Sequence, residues 1–106
     1  MKTGIELIAI ERDEHVTKHG INTGLDVLHN KDRELTIAAS ELLQMHPGNM
    51  GFPKDWDGAI VHKMASKPYK QRLIIAGALI AAEIDRLQAI EKREKKRKDV
   101  HPGDTF

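Results

Sequence analysis

Apolar residues recur at the three- and four-residue spacing of amphipathic helices in four segments of the chain. The first predicted helix covers residues 4–18, and Thr3 and Glu6 have the spacing of a capping box at its start. His19 and Gly20 follow as a stop signal. The polar segment after them contains turn-forming residues, so we expect a connection there before the next helix.

The second predicted helix begins at Asn30 or Asp32, either of which can serve as its N-cap, and continues through Met45. A loop rich in glycine, proline and asparagine comes next. A short third helix is predicted after this loop, capped by Asp55 and extending to about Met64.

Residues 66–68 break the third helix, and Pro68 suits the first position of a long fourth helix that continues from Tyr69 towards the C-terminus. Trp56 is expected to anchor the preceding connection to the core. The middle of the fourth helix, residues 73–84, is apolar on nearly every side. Because a few short helices cannot surround one of their number completely, we expect one side of it to contact another copy of the chain.

The expected fold is therefore all-α, a small bundle of three long helices and one short helix that is completed by homo-oligomerisation. The 106 residues fit a single domain, with a core over about 3–90. Aromatic residues make up only 4% of the chain, which disfavours a β-sandwich or barrel.

Charge is unevenly distributed, although the formal net charge is only +1. Basic side chains crowd residues 92–98, and we expect 91–106 to be a frayed, basic extension. Acidic residues interrupt it and no stacking aromatic lies nearby, so nucleic-acid binding is disfavoured. Cysteine is absent, and no apolar run reaches the roughly 18 residues of a membrane span. A cytoplasmic protein with no membrane partner is expected.

Glu83 is the sharpest candidate for chemistry, because apolar side chains occupy the neighbouring positions on its helical face. A carboxylate in such a place must be paired, hydrogen-bonded or bound to a metal. Two interpretations stay open. Glu83 is either a metal ligand or general base, or it forms a buried salt bridge with an arginine; the arginine candidates are Arg12, Arg72 and Arg86.

Further carboxylates lie on the two earlier helices. Glu34 and Glu41 are two turns apart on one stripe, and Glu11 shares a helical face with Glu14 and His15. If they converge with Glu83 at one end of the bundle, they offer the oxygen ligands that Mg²⁺ prefers. The candidate metal ligands are Glu11, Glu14, Glu34 and Glu83, of which Glu34 and Glu83 are also the candidate catalytic residues. A solvated helix face is the alternative interpretation of the acids on the first helix.

A bound Mg²⁺ neutralises phosphate charge and activates a water molecule, while basic side chains hold the remaining phosphate oxygens. The candidate nucleotide-binding residues are Lys18, Lys67, Lys70 and Arg72, although surface solubility explains each of them equally well. There is no P-loop, dinucleotide-binding glycine motif or nucleophile elbow in the chain.

Two segments carry a resemblance to known proteins: IERDE at 10–14 with KHG at 18–20, and RLIIAGALIAAEIDRL at 72–87. They resemble a group of short phage and prophage proteins, mostly uncharacterised, in which an ERxxQ helix precedes an AGALIxAEIxRL helix. The likeness covers most of residues 5–88. More distantly, the helix order and the acidic helices resemble the MazG-like all-α nucleoside triphosphate pyrophosphohydrolases.

The second resemblance implies Mg²⁺ held by helical carboxylates, cleavage of a nucleotide between its α and β phosphates, and assembly as a dimer or tetramer. Gly77 and Ala81 stand where that family's long helix presents an acid, so nucleotide binding without hydrolysis is also implied. The alternatives are a phage-encoded binder that sequesters nucleotides or nucleotide-derived signals, and a structural oligomer in which Glu83 is paired with an arginine.

Overall fold

A computed structural model describes residues 1–17, 30, 32–48 and 51–97, with side chains as far as residue 95. The described residues form four helices and no strand, which confirms the predicted all-α fold. The helices are α1 (Gly4–Thr17), α2 (Glu34–Leu42), α3 (Gly58–Ala65) and α4 (Tyr69–Arg97). With 9 residues, α2 is a short helix and not the long one expected. None of the described helices is long and apolar enough to cross a membrane.

The predicted capping box begins α1. The backbone N–H of Thr3 donates to Oε1 of Glu6 over 2.9 Å, and the Glu6 N–H donates to the Thr3 hydroxyl over 3.2 Å. The bond from the Thr3 backbone lowers the pKa of Glu6, because it favours the ionised carboxylate. The predicted end of this helix, Lys18, lies outside the described residues.

The start of α2 was predicted wrongly, because a left-handed residue precedes it. Arg33 has φ 67° and ψ 23°, so the helix begins at Glu34 and neither Asn30 nor Asp32 caps it. It also ends earlier than expected, at Leu42. Met45 is therefore exposed beyond the helix and does not belong to its apolar stripe.

Asp57, not the predicted Asp55, caps α3. Its Oδ1 accepts hydrogen bonds from the backbone N–H groups of Ala59 and Ile60, at 2.8 and 3.3 Å. Trp56 packs against the core as predicted, and its indole N–H donates to the Asn30 side chain over 3.2 Å. The connection before α3 is thereby fixed to the body of the protein.

The core lies where α2 and α3 pack on one side of α4. Its buried residues are Leu35, Ala38, Ala39, Leu42, Phe52, Val61, Ile75, Ala76, Leu79 and Ala82. α1 contributes no fully buried residue. It instead lies on a second side of α4, where Ile8 rests directly over Gly77.

Arg72 fixes the direction in which α2 packs. One of its guanidinium nitrogens donates to the Leu42 carbonyl over 2.8 Å and also to that of Gln44, so the end of α2 lies beside the start of α4. The two helices therefore run antiparallel. At its other end α4 continues to Arg97 and includes the first part of the basic stretch. Residues 98–106 lie outside the described part of the chain.

Candidate functional site

Charged side chains of α1, α2 and α4 lie along the middle of α4. α2 rises about 14 Å from its C-terminal end beside Arg72, which brings Glu34 to the level of Ile80, near the middle of α4. Arg12 on α1 forms an ion pair with Asp85 on α4, with 3.4 Å between Nη2 and Oδ2. We call the surroundings of this ion pair the polar end.

Glu83 forms a buried ion pair with Arg86. Nε and Nη2 of the arginine donate to the two carboxylate oxygens over 2.6 and 2.9 Å, and the side chains are only 12% and 6% exposed. Such a two-point contact is the strongest geometry for this pair of groups. Of the two interpretations left open by the sequence, the structure therefore has the salt bridge, and the partner is Arg86.

Glu11 and His15 form a second pair at the polar end. Their side chains are half-buried, and 2.8 Å separates Nε2 of His15 from Oε2 of Glu11. Glu14 is half-buried on the same helix. Lys18 and His19, which the sequence places after them, lie outside the described residues.

The carboxylates of Glu34 and Glu41 accept hydrogen bonds from different parts of the backbone. The Glu34 carboxylate accepts a hydrogen bond from the N–H of Asp32, just before α2. Glu41 accepts from the N–H of Gly48 over 2.9 Å and lies so close to Gly51 that a Cβ there would meet its Oε1 at 1.7 Å. Glu41 thus holds the loop that follows α2, a role that the sequence pattern did not reveal.

The predicted Mg²⁺ ligands are not assembled into a site within the described part of the chain. There, no group of three or more His, Asp and Glu side chains is placed to hold a metal ion. Two of the four predicted ligands have other partners. Both carboxylate oxygens of Glu83 accept hydrogen bonds from Arg86, and the Glu11 carboxylate pairs with His15.

The predicted phosphate-binding residues that the structure describes do not share one environment. Arg72 is buried, and its Nε donates to the Lys67 carbonyl over 3.1 Å in addition to its bonds with the end of α2. It therefore ties two connections to α4. Lys70 is exposed, and Lys67 is half-buried. Sequence reasoning missed the structural role of Arg72, because its partners lie as far as 30 positions away.

A third side of α4 stays uncovered by the other described helices. Its large apolar side chains are between 39% and 57% exposed, and we call this set the α4 stripe: Tyr69, Leu73, Ile80, Ile84 and Leu87. These residues recur at spacings of three, four and seven, so they share one face of the helix. This is the kind of surface that the sequence predicted for contact with another copy.

Comparison with family models, curated proteins and solved structures gives no match. The resemblance to short phage proteins and to MazG-like enzymes therefore stays a prediction. The function is therefore inferred from the geometry of the described residues.

Proposed function

We propose that this chain is a non-catalytic interaction protein that works as a helical homo-oligomer. The observation that carries the proposal is the α4 stripe, because a row of large apolar side chains on one helix face is typical of a protein contact surface. Association removes this surface from water and completes the bundle around α4.

The ion pair of Glu83 and Arg86 supports the non-catalytic part of the proposal. Both carboxylate oxygens already accept from a buried guanidinium, so a metal ion or a substrate proton would have to compete with this ion pair. In this proposal Glu83 stabilises the core of α4, and its charge is balanced within the same helical turn.

The direct test is the mass of the protein in solution, measured by light scattering and sedimentation velocity over a range of concentrations. Ile80→Glu places a charge within the α4 stripe, and Ile37→Glu is its control because Ile37 on α2 is equally exposed, at 44% against 45%. We expect Ile80→Glu to be a helical monomer and Ile37→Glu to keep the oligomer of the unmodified chain. A monomeric unmodified chain, or two variants that behave alike, would contradict the proposal.

Nucleotide binding is a second candidate function, favoured by the packing of the two glutamate-bearing helices α1 and α2 on α4. Glu11, Glu14, Glu34 and Glu83 all lie on these helices, and the expected partner is a nucleotide or a nucleotide-derived signal, with Mg²⁺ for the hydrolytic version.

Isothermal titration calorimetry against Mg²⁺ and a panel of nucleotides and cyclic dinucleotides tests this second candidate, with products analysed in the same samples. Glu34→Gln is more informative than Glu83→Gln, because Glu34 lies outside the buried ion pair. Metal-dependent pyrophosphate release that Glu34→Gln abolishes would establish an enzyme. Binding with the nucleotide recovered intact would establish a sequestering protein, and absence of binding would leave the interaction protein.

A further inference from the structure

Three residues of the α4 stripe are evenly spaced. Leu73 and Leu87 lie seven positions before and after Ile80, and each interval is close to two helical turns. The three side chains are similarly exposed, at 39%, 45% and 44%. When two such rows run antiparallel, their middle residues meet and each end residue faces the opposite end of the other row, as in a two-fold contact between identical chains.

Charges at the two ends of the stripe select the orientation of such a pair. Lys70 is exposed ten positions before Ile80, and Glu91 is exposed eleven positions after it. In an antiparallel pair each Lys70 lies near Glu91 of the second copy, whereas in a parallel pair like charges face each other. Opposed helix dipoles also favour the antiparallel arrangement.

We propose that two copies of the chain pair through antiparallel α4 helices that cross at Ile80, so that Leu73 of each copy packs on Leu87 of the other. This inference rests on the proposed self-association and adds the surface, the partner and the register. The α4 stripe of each copy is thus covered by the α4 stripe of the other copy.

Disulfide crosslinking distinguishes the possible arrangements, because the chain has no cysteine of its own. Ile80→Cys is expected to crosslink with itself on mild oxidation. Leu73→Cys alone and Leu87→Cys alone are expected to stay uncrosslinked, since equivalent positions would be about 21 Å apart along the antiparallel axis. A mixture of the last two variants should form the mixed dimer, because a disulfide needs Cα atoms roughly 4.4–6.8 Å apart.

Ile37→Cys is the control for random collision, since it is as exposed as Ile80 but lies on α2. Strong crosslinking of Leu73→Cys alone would mean a parallel pair and would overturn the inference. A dimer whose Ile80→Cys variant does not crosslink would also overturn it, while self-association through another surface would stand. A protein that is monomeric at every concentration and uncrosslinked would overturn both.

Exchange of the end charges gives an independent test that leaves the apolar residues in place. Lys70→Glu and Glu91→Lys are each expected to weaken the dimer several-fold at low salt, and the double variant is expected to recover its affinity. A double variant weaker than either single one would overturn the antiparallel register. Circular dichroism of each variant verifies that the helices are retained.

Discussion

Glu83 and Arg86 lie one turn apart on α4, and both carboxylate oxygens of Glu83 accept hydrogen bonds from the one guanidinium, at 2.6 and 2.9 Å. The pair is buried, so the charges would be costly without each other. An acidic residue within an apolar run, which is a frequent sign of an active site, here has a structural partner three positions away.

Removal of one member of this pair should be strongly destabilising. Glu83→Gln leaves the Arg86 guanidinium buried without its counter-charge, and we expect the free energy of unfolding to fall by about 3 kcal/mol. Urea denaturation followed by circular dichroism measures it. The double variant Glu83→Met with Arg86→Met removes both charges and should recover most of the loss. A Glu83→Gln variant as stable as the unmodified protein would show that the pair has little structural importance.

Replacement of Gly51 is expected to weaken the loop after α2, whereas replacement of Gly48 is not. A Cβ at Gly51 would overlap the Glu41 carboxylate and displace it from the Gly48 N–H, but a Cβ at Gly48 meets nothing within 4 Å. We expect Gly51→Ala to lower stability by about 1 kcal/mol, as for one lost hydrogen bond, and Gly48→Ala to have little effect.

A double-mutant cycle verifies the cause. In a Glu41→Ala background the obstructing carboxylate is gone, so Gly51→Ala should add almost no further loss. Equal losses in both backgrounds would mean that Gly51 matters for its backbone and not for its contact with Glu41.

How much of this molecule could be predicted from its sequence depends on how local each interaction is. The Thr3 and Glu6 capping box and an arginine partner for Glu83 involve positions three apart, and both are in the structure. The same spacing rules, combined with the apolar run, identified α4.

The spacing of apolar and polar residues does not show interactions between residues far apart in the sequence. It does not show unusual backbone conformations either. Arg33 is left-handed although it is neither glycine nor asparagine, so the start of α2 was placed too early. The sequence shows that Arg72 is basic, which suits phosphate binding, but it does not show what the side chain contacts. In the structure Arg72 donates to carbonyls at the end of α2. The four-glutamate set failed to assemble for a similar reason, since helix spacing alone does not show which neighbour each carboxylate faces.

Arg72 should not tolerate replacement by lysine, although the charge is kept. Its guanidinium reaches the carbonyls of Leu42, Gln44 and Lys67 at once, and an ammonium group on a flexible chain cannot reproduce that geometry. We expect Arg72→Lys to lower the free energy of unfolding by about 2 kcal/mol, with Lys63→Ala on α3 as an exposed control that leaves it unchanged. Thermal and urea unfolding measure this, and an unaffected Arg72→Lys variant would contradict it.

The capping box of α1 should make the stability of that helix depend on pH. The pKa of Glu6 is lowered in the folded protein, so its stabilising effect is fully present above its ordinary value of 4.5 and is lost as the pH falls through the lowered value. Amide exchange of α1, followed by NMR at acidic pH, should show this loss in the unmodified chain. Glu6→Gln should remove that part of the pH dependence, and an unchanged profile would assign it to other carboxylates.

The packing of α1 on α4 can be tested by whether one substitution raises or lowers the free energy of unfolding. Alanine favours a helix interior over glycine by about 1 kcal/mol, but a Cβ at Gly77 would lie 2.5 Å from Cδ1 of Ile8. We therefore expect Gly77→Ala to destabilise the protein, because the Ile8 side chain must leave its packed position. In an Ile8→Ala background the space is free, and the same substitution should instead be stabilising. Denaturation of the four proteins of this cycle measures the change of sign, and an equal effect in both backgrounds would mean that Ile8 does not rest on Gly77 in solution.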